Sequence, residues 1–426
     1  MAAMWSPIIA LLLLLLPLVP SSSSAITLPL HGNVYPVGHY YVTLQIGKPL
    51  KHYFLDIHTG SNLTWLECQH PHLGCQHCTQ GHKHSYYSPK LSNLKVGCQH
   101  MYCVALRKDL PGINPQCPIK EPHQCHYKIR YLDGTTEGVL SLDKISVGGK
   151  ENNIALGCGY NQHPRKPSPV HGILALGMGT VGFVPQLKLQ KMISKNIIGH
   201  CLGKDGGGYL FFGDKQFGSE GITWAPMRRY ELFYSPGQAK LHLDGQPEPI
   251  YKHGVNAVFD SGSTYTYIPA RIYNPFVHTV RHMIGSSHRE VHDHDLPHCW
   301  KFKSIDEVKR LFKPLSLQFD NKIAMHIPAM NYLIHTRSNN WCLAILNGTH
   351  VGEDRRILIG GLNLTNMFHF LKLVHQAYMF VMISILIFCF ADATMRDMLV
   401  IYDNQDGRLG WVHQQECTRP HPASRL

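Results

Sequence analysis

The sequence predicts an all-β chain of two similar lobes facing one another across a cleft. Three observations carry that expectation. Several short runs alternate apolar and polar residues with period two, 37 glycines and 27 prolines supply many turns, and one strand–turn unit occurs twice. At 426 residues the chain is too long for one ordinary core, and 44% apolar against 16% charged residues is the balance of a folded protein.

The N-terminus comes first. Residues 8–19 are almost wholly apolar, and Ser23-Ser24-Ala25 supplies small residues for cleavage, so residues 1–25 are expected to be a signal peptide. The run is shorter than the roughly 20 apolar residues that a membrane span needs. The expected destination is extracellular or another secretory compartment such as the vacuole.

Tyr40 to Ile46 alternates towards Gly47 and reads as a strand. Tyr127 to Tyr131 followed by Asp133-Gly134 reads as a hairpin, because Asp-Gly suits the tight turns that join twisted strands. Tyr209 to Phe212 and Met398 to Tyr402 are further strands, and residues 304–312 form a short amphipathic helix. Little other helical periodicity stands out.

The formal charge is +12 without counting 30 histidines. Lys and Arg are scattered rather than clustered in runs, which argues against a nucleic-acid partner. In an acidic compartment exposed histidines would make the surface strongly cationic. The 13 cysteines suit an oxidising compartment, and seven of them lie within residues 68–125. Cys75-x-x-Cys78 with His82 and His84 offers zinc-like spacing, but in a secreted chain the disulfide reading is preferred.

The repeat carries the chemistry. Phe54-Leu55-Asp56-Ile57-His58-Thr59-Gly60-Ser61 matches Ala257-Val258-Phe259-Asp260-Ser261-Gly262-Ser263, an apolar strand entering a short polar turn. Each is followed, roughly 100 residues later, by an apolar run near glycine: Gly172 to Gly177, then Ile357 to Gly361. Two Asp-Thr/Ser-Gly turns brought together hold two carboxyls that cannot both ionise cheaply. They share one proton and act as base and acid on one water.

These motifs resemble the pepsin family of aspartic endopeptidases, in particular its plant nucellin-like and nepenthesin-like branch. The stretches that carry the resemblance are His39 to Val42 with Ile46-Gly47, Phe54 to Leu66, Tyr127 to Gly138, Leu156 to Tyr160, Val258 to Tyr267, and Val400 to Asp403 with Gly410-Trp411. It implies a bilobal pepsin-like fold with a central cleft that takes a polypeptide substrate or ligand. The lobes are expected at residues 26–220, with a cysteine-rich insertion at 68–125, and at 221–419. Asp260 is implied as the second catalytic aspartate, Tyr131 as the flap tyrosine and Trp65 as its indole partner. Without that context, hairpin or core packing would be the reading of both. Thr59, Gly60, Ser61, Ser261, Gly262 and Ser263 are the supporting turn residues. The resemblance also suggests a Cys299–Cys342 disulfide and no long prosegment. A monomer without cofactor or metal is expected.

The chain departs from that pattern in three places. His58 stands where the first catalytic aspartate belongs. Protonated, it would pair with Asp260 and lower its pKa; Asp56, two residues back on the same strand face, would lie roughly 6.5–7 Å away. Ala175 replaces a family glycine behind the turn, and His171 a usual Asp. Finally, residues about 362–393 form an atypical insertion containing the apolar run Tyr378 to Ala391. It is expected to be non-domain sequence of the retained-intron kind, loosely packed; a membrane-interacting segment is the alternative. The odd Cys389 falls in this insertion. Glycosylation signals occur at Asn62, Asn347 and Asn363, with Asn62 expected to be too buried to be modified. Two functions follow: an aspartic endopeptidase impaired by His58, or a non-catalytic pepsin-fold binding or inhibitor protein of the plant cell wall.

Overall fold

The computed structural model describes residues 25–78, 86–109, 124–131, 134–163, 169–214, 221–228, 233–320, 322–348, 387–414 and 417. His82, His84, Asp133, Asn363, the run 357–361 and residues 362–386 lie outside these. Strands dominate. A 13-stranded sheet runs from the Thr223–Pro226 edge strand to His126–Arg130, and a 7-stranded sheet and a 4-stranded sheet complete the second half. The predicted strands appear as His39–Ile46, His126–Arg130, Gly208–Gly213 and Met398–Asp403. His39–Ile46 alternates half-buried and buried residues, as a one-sided strand should.

The two halves are tied by their shared sheet. Met398–Asp403, from the C-terminal end, pairs antiparallel with Ile197–Leu202, which pairs with Gly208–Gly213 and so with Ala25–Asn33. A continuous core of Tyr40, Leu55, Phe183, Phe259, Phe276 and Trp411 spans both halves. Ordering so many non-local strands is offset chiefly by burial of this apolar area.

The repeat is visible as matching topology. Lys51–His58 pairs in parallel with Gly172–Ala175, placing His58 opposite Ala175. In the second half Val255–Phe259 pairs in parallel with Ile387–Phe390, placing Phe259 opposite Phe390. The sequence repeat predicts the partner strand at 357–361, and Ile387–Phe390 fills that place. Residues 387–393, expected in the loose insertion, therefore belong to the second sheet and its turn, with Ala391, Asp392 and Ala393 buried. A long apolar run contains strand and non-strand alike, and its own pattern does not mark where one ends.

The helix expected at 304–312 runs Ile305–Leu311 under a Ser304 cap that accepts from the Glu307 amide. A longer helix, Ala270–Ile284, has no counterpart among the expected elements. Pro275 inside it disguises a sound pattern, since Ile272, Phe276, Val280 and Ile284 share its buried face. Disulfides join Cys68–Cys158, Cys75–Cys78, Cys103–Cys125, Cys201–Cys417 and Cys299–Cys342. Cys75 and Cys78 thus bond each other, which removes their thiolates as zinc ligands. No described helix is long and apolar enough to cross a membrane.

Candidate active site

The two repeated turns meet at the junction of the halves. Thr59 and Ser261 hold them together by a reciprocal set of bonds. The Thr59 hydroxyl donates to the Phe259 carbonyl (3.1 Å) and accepts from the Ser261 amide (2.9 Å). The Ser261 hydroxyl donates to the Ile57 carbonyl (2.8 Å) and accepts from the Thr59 amide (3.2 Å). All four groups are buried, so each bond also spares a desolvated polar atom.

The glycines create room for the opposing side chains. A Cβ on Gly60 would stand 2.9 Å from the Asp260 carboxyl, and one on Gly262 would stand 2.2 Å from His58 Nδ1. Both distances are below van der Waals contact, so any other residue would push the turns apart. His58 and Asp260 consequently face each other with Nδ1 3.1 Å from Oδ1, both nearly inaccessible to solvent.

Electrostatics follow from the partners. Burial alone would raise the Asp260 pKa, but the His58 charge and hydrogen bond, with the Gly262 and Gly60 amides, outweigh it and hold the carboxyl below its ordinary value. The Gly60 amide lies 3.0 Å from Asp260 Oδ1 and 3.2 Å from His58 Nδ1. A bare Nδ1 would accept from Gly60 but set its lone pair against the carboxylate. With Nδ1 protonated, Nδ1–H and the Gly60 N–H both donate to Asp260, and only the longer 3.2 Å approach of Gly60 to Nδ1 is given up. The geometry therefore favours an Nδ1–H donor.

Tyr131 and Trp65, the pair expected at the flap, also meet. Tyr131 follows the strand His126–Arg130, and its amide donates to the Gly134 carbonyl across the hairpin turn (2.7 Å). The Trp65 indole N–H donates to the Tyr131 hydroxyl (2.8 Å), and the Ser61 hydroxyl lies 3.2 Å from it. The Tyr131 ring centroid is 5.7 Å from that of His58. Ser263 Oγ stands 3.5 Å from Asp260 Oδ2, a long contact.

Other residues go elsewhere. Asp56 Oδ2 binds His39 Nδ1 (3.1 Å) instead of joining the pair, and its Oδ1 has no hydrogen-bond partner. Ala175 is fully buried, its amide donating to Thr64 Oγ1 (3.0 Å). His171 accepts from the Phe54 amide (3.0 Å). Asn62 is occupied by the Gly179 amide (2.9 Å) and the Asp109 carbonyl (3.4 Å). Asp392 escapes a reading of the sequence because it lies within the supposed insertion. It is buried, its amide donates to the Ser263 carbonyl (2.9 Å), and its Oδ1 has no hydrogen-bond partner. Burial, then the charges of Asp56 and Asp260, push its pKa well up. Among the described residues one trio has metal-like spacing, Asp293 with Cys299 and Cys342, but those sulfurs form a disulfide.

Comparison with known proteins identifies the family. The chain is 40% identical over 443 residues to an aspartic proteinase of Oryza sativa subsp. indica, covering 98% of each. It belongs to the pepsin-like aspartic protease family of plants. Aspartic proteinase 36 of Arabidopsis thaliana is 26% identical, covering 80% of this chain and 73% of the relative. The families described as xylanase inhibitor N-terminal and C-terminal match residues 40–214 and 238–380. Among solved structures, basic 7S globulin from soybean (TM-score 0.64, 13% identity, 92% and 95% covered) shares the fold. So does the aspartic proteinase from Irpex lacteus (TM-score 0.57, 14% identity, 92% and 98% covered).

Proposed function

We propose that this protease-family member hydrolyses peptide bonds only weakly or not at all, because His58 replaces the first catalytic aspartate. The observation that carries the reading is the 3.1 Å contact of His58 Nδ1 with Asp260 Oδ1. An ordinary pair offers a water two carboxyls sharing a proton. Here one partner is a cationic or neutral ring, and Asp260 is drawn into an ion pair that lowers its basicity. A His–Asp pair retains limited capacity to polarise water, so the defect is one of rate.

Cleavage of a broad peptide library at acidic pH tests this. The parent should show little or no cleavage, and His58→Asp should gain on the order of 10²–10⁴-fold, with the gain lost again in His58→Asp combined with Asp260→Asn. Brisk parental cleavage blocked by a statine-type inhibitor would refute the impairment.

The second reading is a cleft that binds a polypeptide without cutting it. It draws on the same site, whose framing bonds and flap contact are intact while one catalytic group is missing, and on the xylanase-inhibitor families matched by both halves. In this reading the protein resembles an inhibitor of cell-wall glycan hydrolases. We further place it in the nucellin-like branch and assign residues 1–25 as a cleaved signal peptide, with an extracellular or vacuolar destination.

A further inference from the structure

A second concavity is built from residues that take no part in the site above. At the C-terminal end of the helix Ala270–Ile284 a groove of about 670 Å³ lies between the last helical turn and residues 285–290. Arg281, His282, His288, Arg289 and Glu290 line it over Trp300. The Arg289 and His282 side chains are exposed and form no ion pair among the described residues. Gly285, in the left-handed region at φ 77°, turns the chain sharply out of the helix and brings His288 and Arg289 back towards it.

The charge of this groove depends on its imidazoles. Glu290, the one carboxylate in the lining, is held by Arg281 Nε at 2.8 Å and also by His298. Glu307, on the neighbouring helix, faces His288 Nε2 at 3.1 Å, and the Lys303 amide and Arg310 also act on Glu307. With the imidazoles neutral, Arg281 and Arg289 are balanced by Glu290 and by Glu307 behind His288. With His282 and His288 protonated the same groups carry a net charge of two, on one open groove.

We infer that this groove binds a linear acidic polysaccharide, one whose sugars carry carboxylates, and does so in the mildly acidic range. In that range uronate carboxyls remain ionised while imidazoles gain charge, so the attraction is largest there. Ser286 is a further lining residue whose hydroxyl can pair with a sugar hydroxyl, and the open form suits a chain that runs through. Trp300 is almost wholly buried, so it offers no exposed ring for stacking nucleobases.

The test is binding of the full chain to polygalacturonate at about pH 5 and about pH 7.5, with dextran as the neutral control. Binding should be confined to the acidic condition and to polygalacturonate. His282→Gln with Arg289→Gln should weaken it on the order of tenfold, since charge pairs at an interface act on this scale. Lys150→Gln with Lys204→Gln removes two exposed cations elsewhere and should change it little, and Glu290→Gln should extend it towards neutral pH. Equal losses from the two double variants would show attraction by overall charge and overturn the site. Absence of acidic binding, or equally tight capture of a single-stranded DNA oligomer, would overturn the occupant. Unchanged thermal melting of the exposed-residue variants keeps a folding defect from imitating the result.

Discussion

The turns at Thr59 and at Ser261 are the same device with different head groups. Each donates a hydroxyl to the other half, accepts from its amide, and carries a glycine that clears space for the opposing side chain. In one the head group is a carboxylate, in the other an imidazole. The frame is thus specified by Thr59, Gly60, Ser261 and Gly262, and on the proposed reading it survives replacement of a catalytic carboxyl at His58. On that reading, family fold and family chemistry rest on separable residues, here only one position apart.

The buried groups behind the two turns sharpen the contrast, and they give the largest expected effect. Behind the first turn, His200 is fully buried, bonded to Tyr402 (Nε2 to hydroxyl oxygen 3.0 Å), with no hydrogen-bond partner on Nδ1. Burial lowers its pKa from 6.5 to about 3. The unfolded chain therefore binds this proton first, and stability falls as the pH drops from 6.5 towards 3. The loss is on the order of 4–5 kcal/mol when complete. Asp392, bonded to the second turn, has the opposite sign. Its folded pKa is raised, so its contribution is whole below about 3.8 and is lost as the pH rises above it. The two effects oppose each other between those limits. Urea melts across pH should show His200→Phe losing the acid-side decline and Asp392→Asn losing the decline towards neutral pH. Parallel pH profiles for the parent and both variants would break the contrast.

Next in size are the glycines. Gly262→Ala drives a methyl into the His58 ring and Gly60→Ala one into the Asp260 carboxyl. Overpacking of this kind costs about 1–3 kcal/mol, and the closer 2.2 Å approach makes Gly262→Ala the worse of the two. Combining it with His58→Ala should recover most of the loss in a double-mutant cycle. Additive losses would mean that the ring is not what the methyl meets.

The smallest effect belongs to the flap. Trp65→Phe removes the donor to the Tyr131 hydroxyl and keeps most of the ring, and should cost about 1 kcal/mol. Tyr131→Phe combined with it should add less than it costs alone, because the Trp65 bond is lost only once and the contact with the Ser61 hydroxyl is what remains to lose.

Much of this was legible in the sequence because the turns are local motifs. Phe54 to Ser61 and Ala257 to Ser263 state strand, turn and glycine in consecutive residues, and Trp65 and Tyr131 follow from the resemblance. What escaped was non-local or disguised. Nothing in its own neighbourhood announces that Asp56 pairs with His39, 17 residues away across a strand pair. Pro275 masked the helix Ala270–Ile284. Ile387–Phe390 was swallowed by a uniformly apolar run, and Asp392 with it. The groove at Arg281 and Arg289 depends on a chain reversal that composition does not reveal.

On the proposed reading the frame is whole and one catalytic group is missing. Calorimetric binding of a statine-containing peptide at acidic pH tests it most directly, because the statine hydroxyl takes the place of the water between two carboxyls. Clear binding to His58→Asp and little or none to the parent is expected. Equal binding to both, or none to a correctly folded His58→Asp, would contradict it.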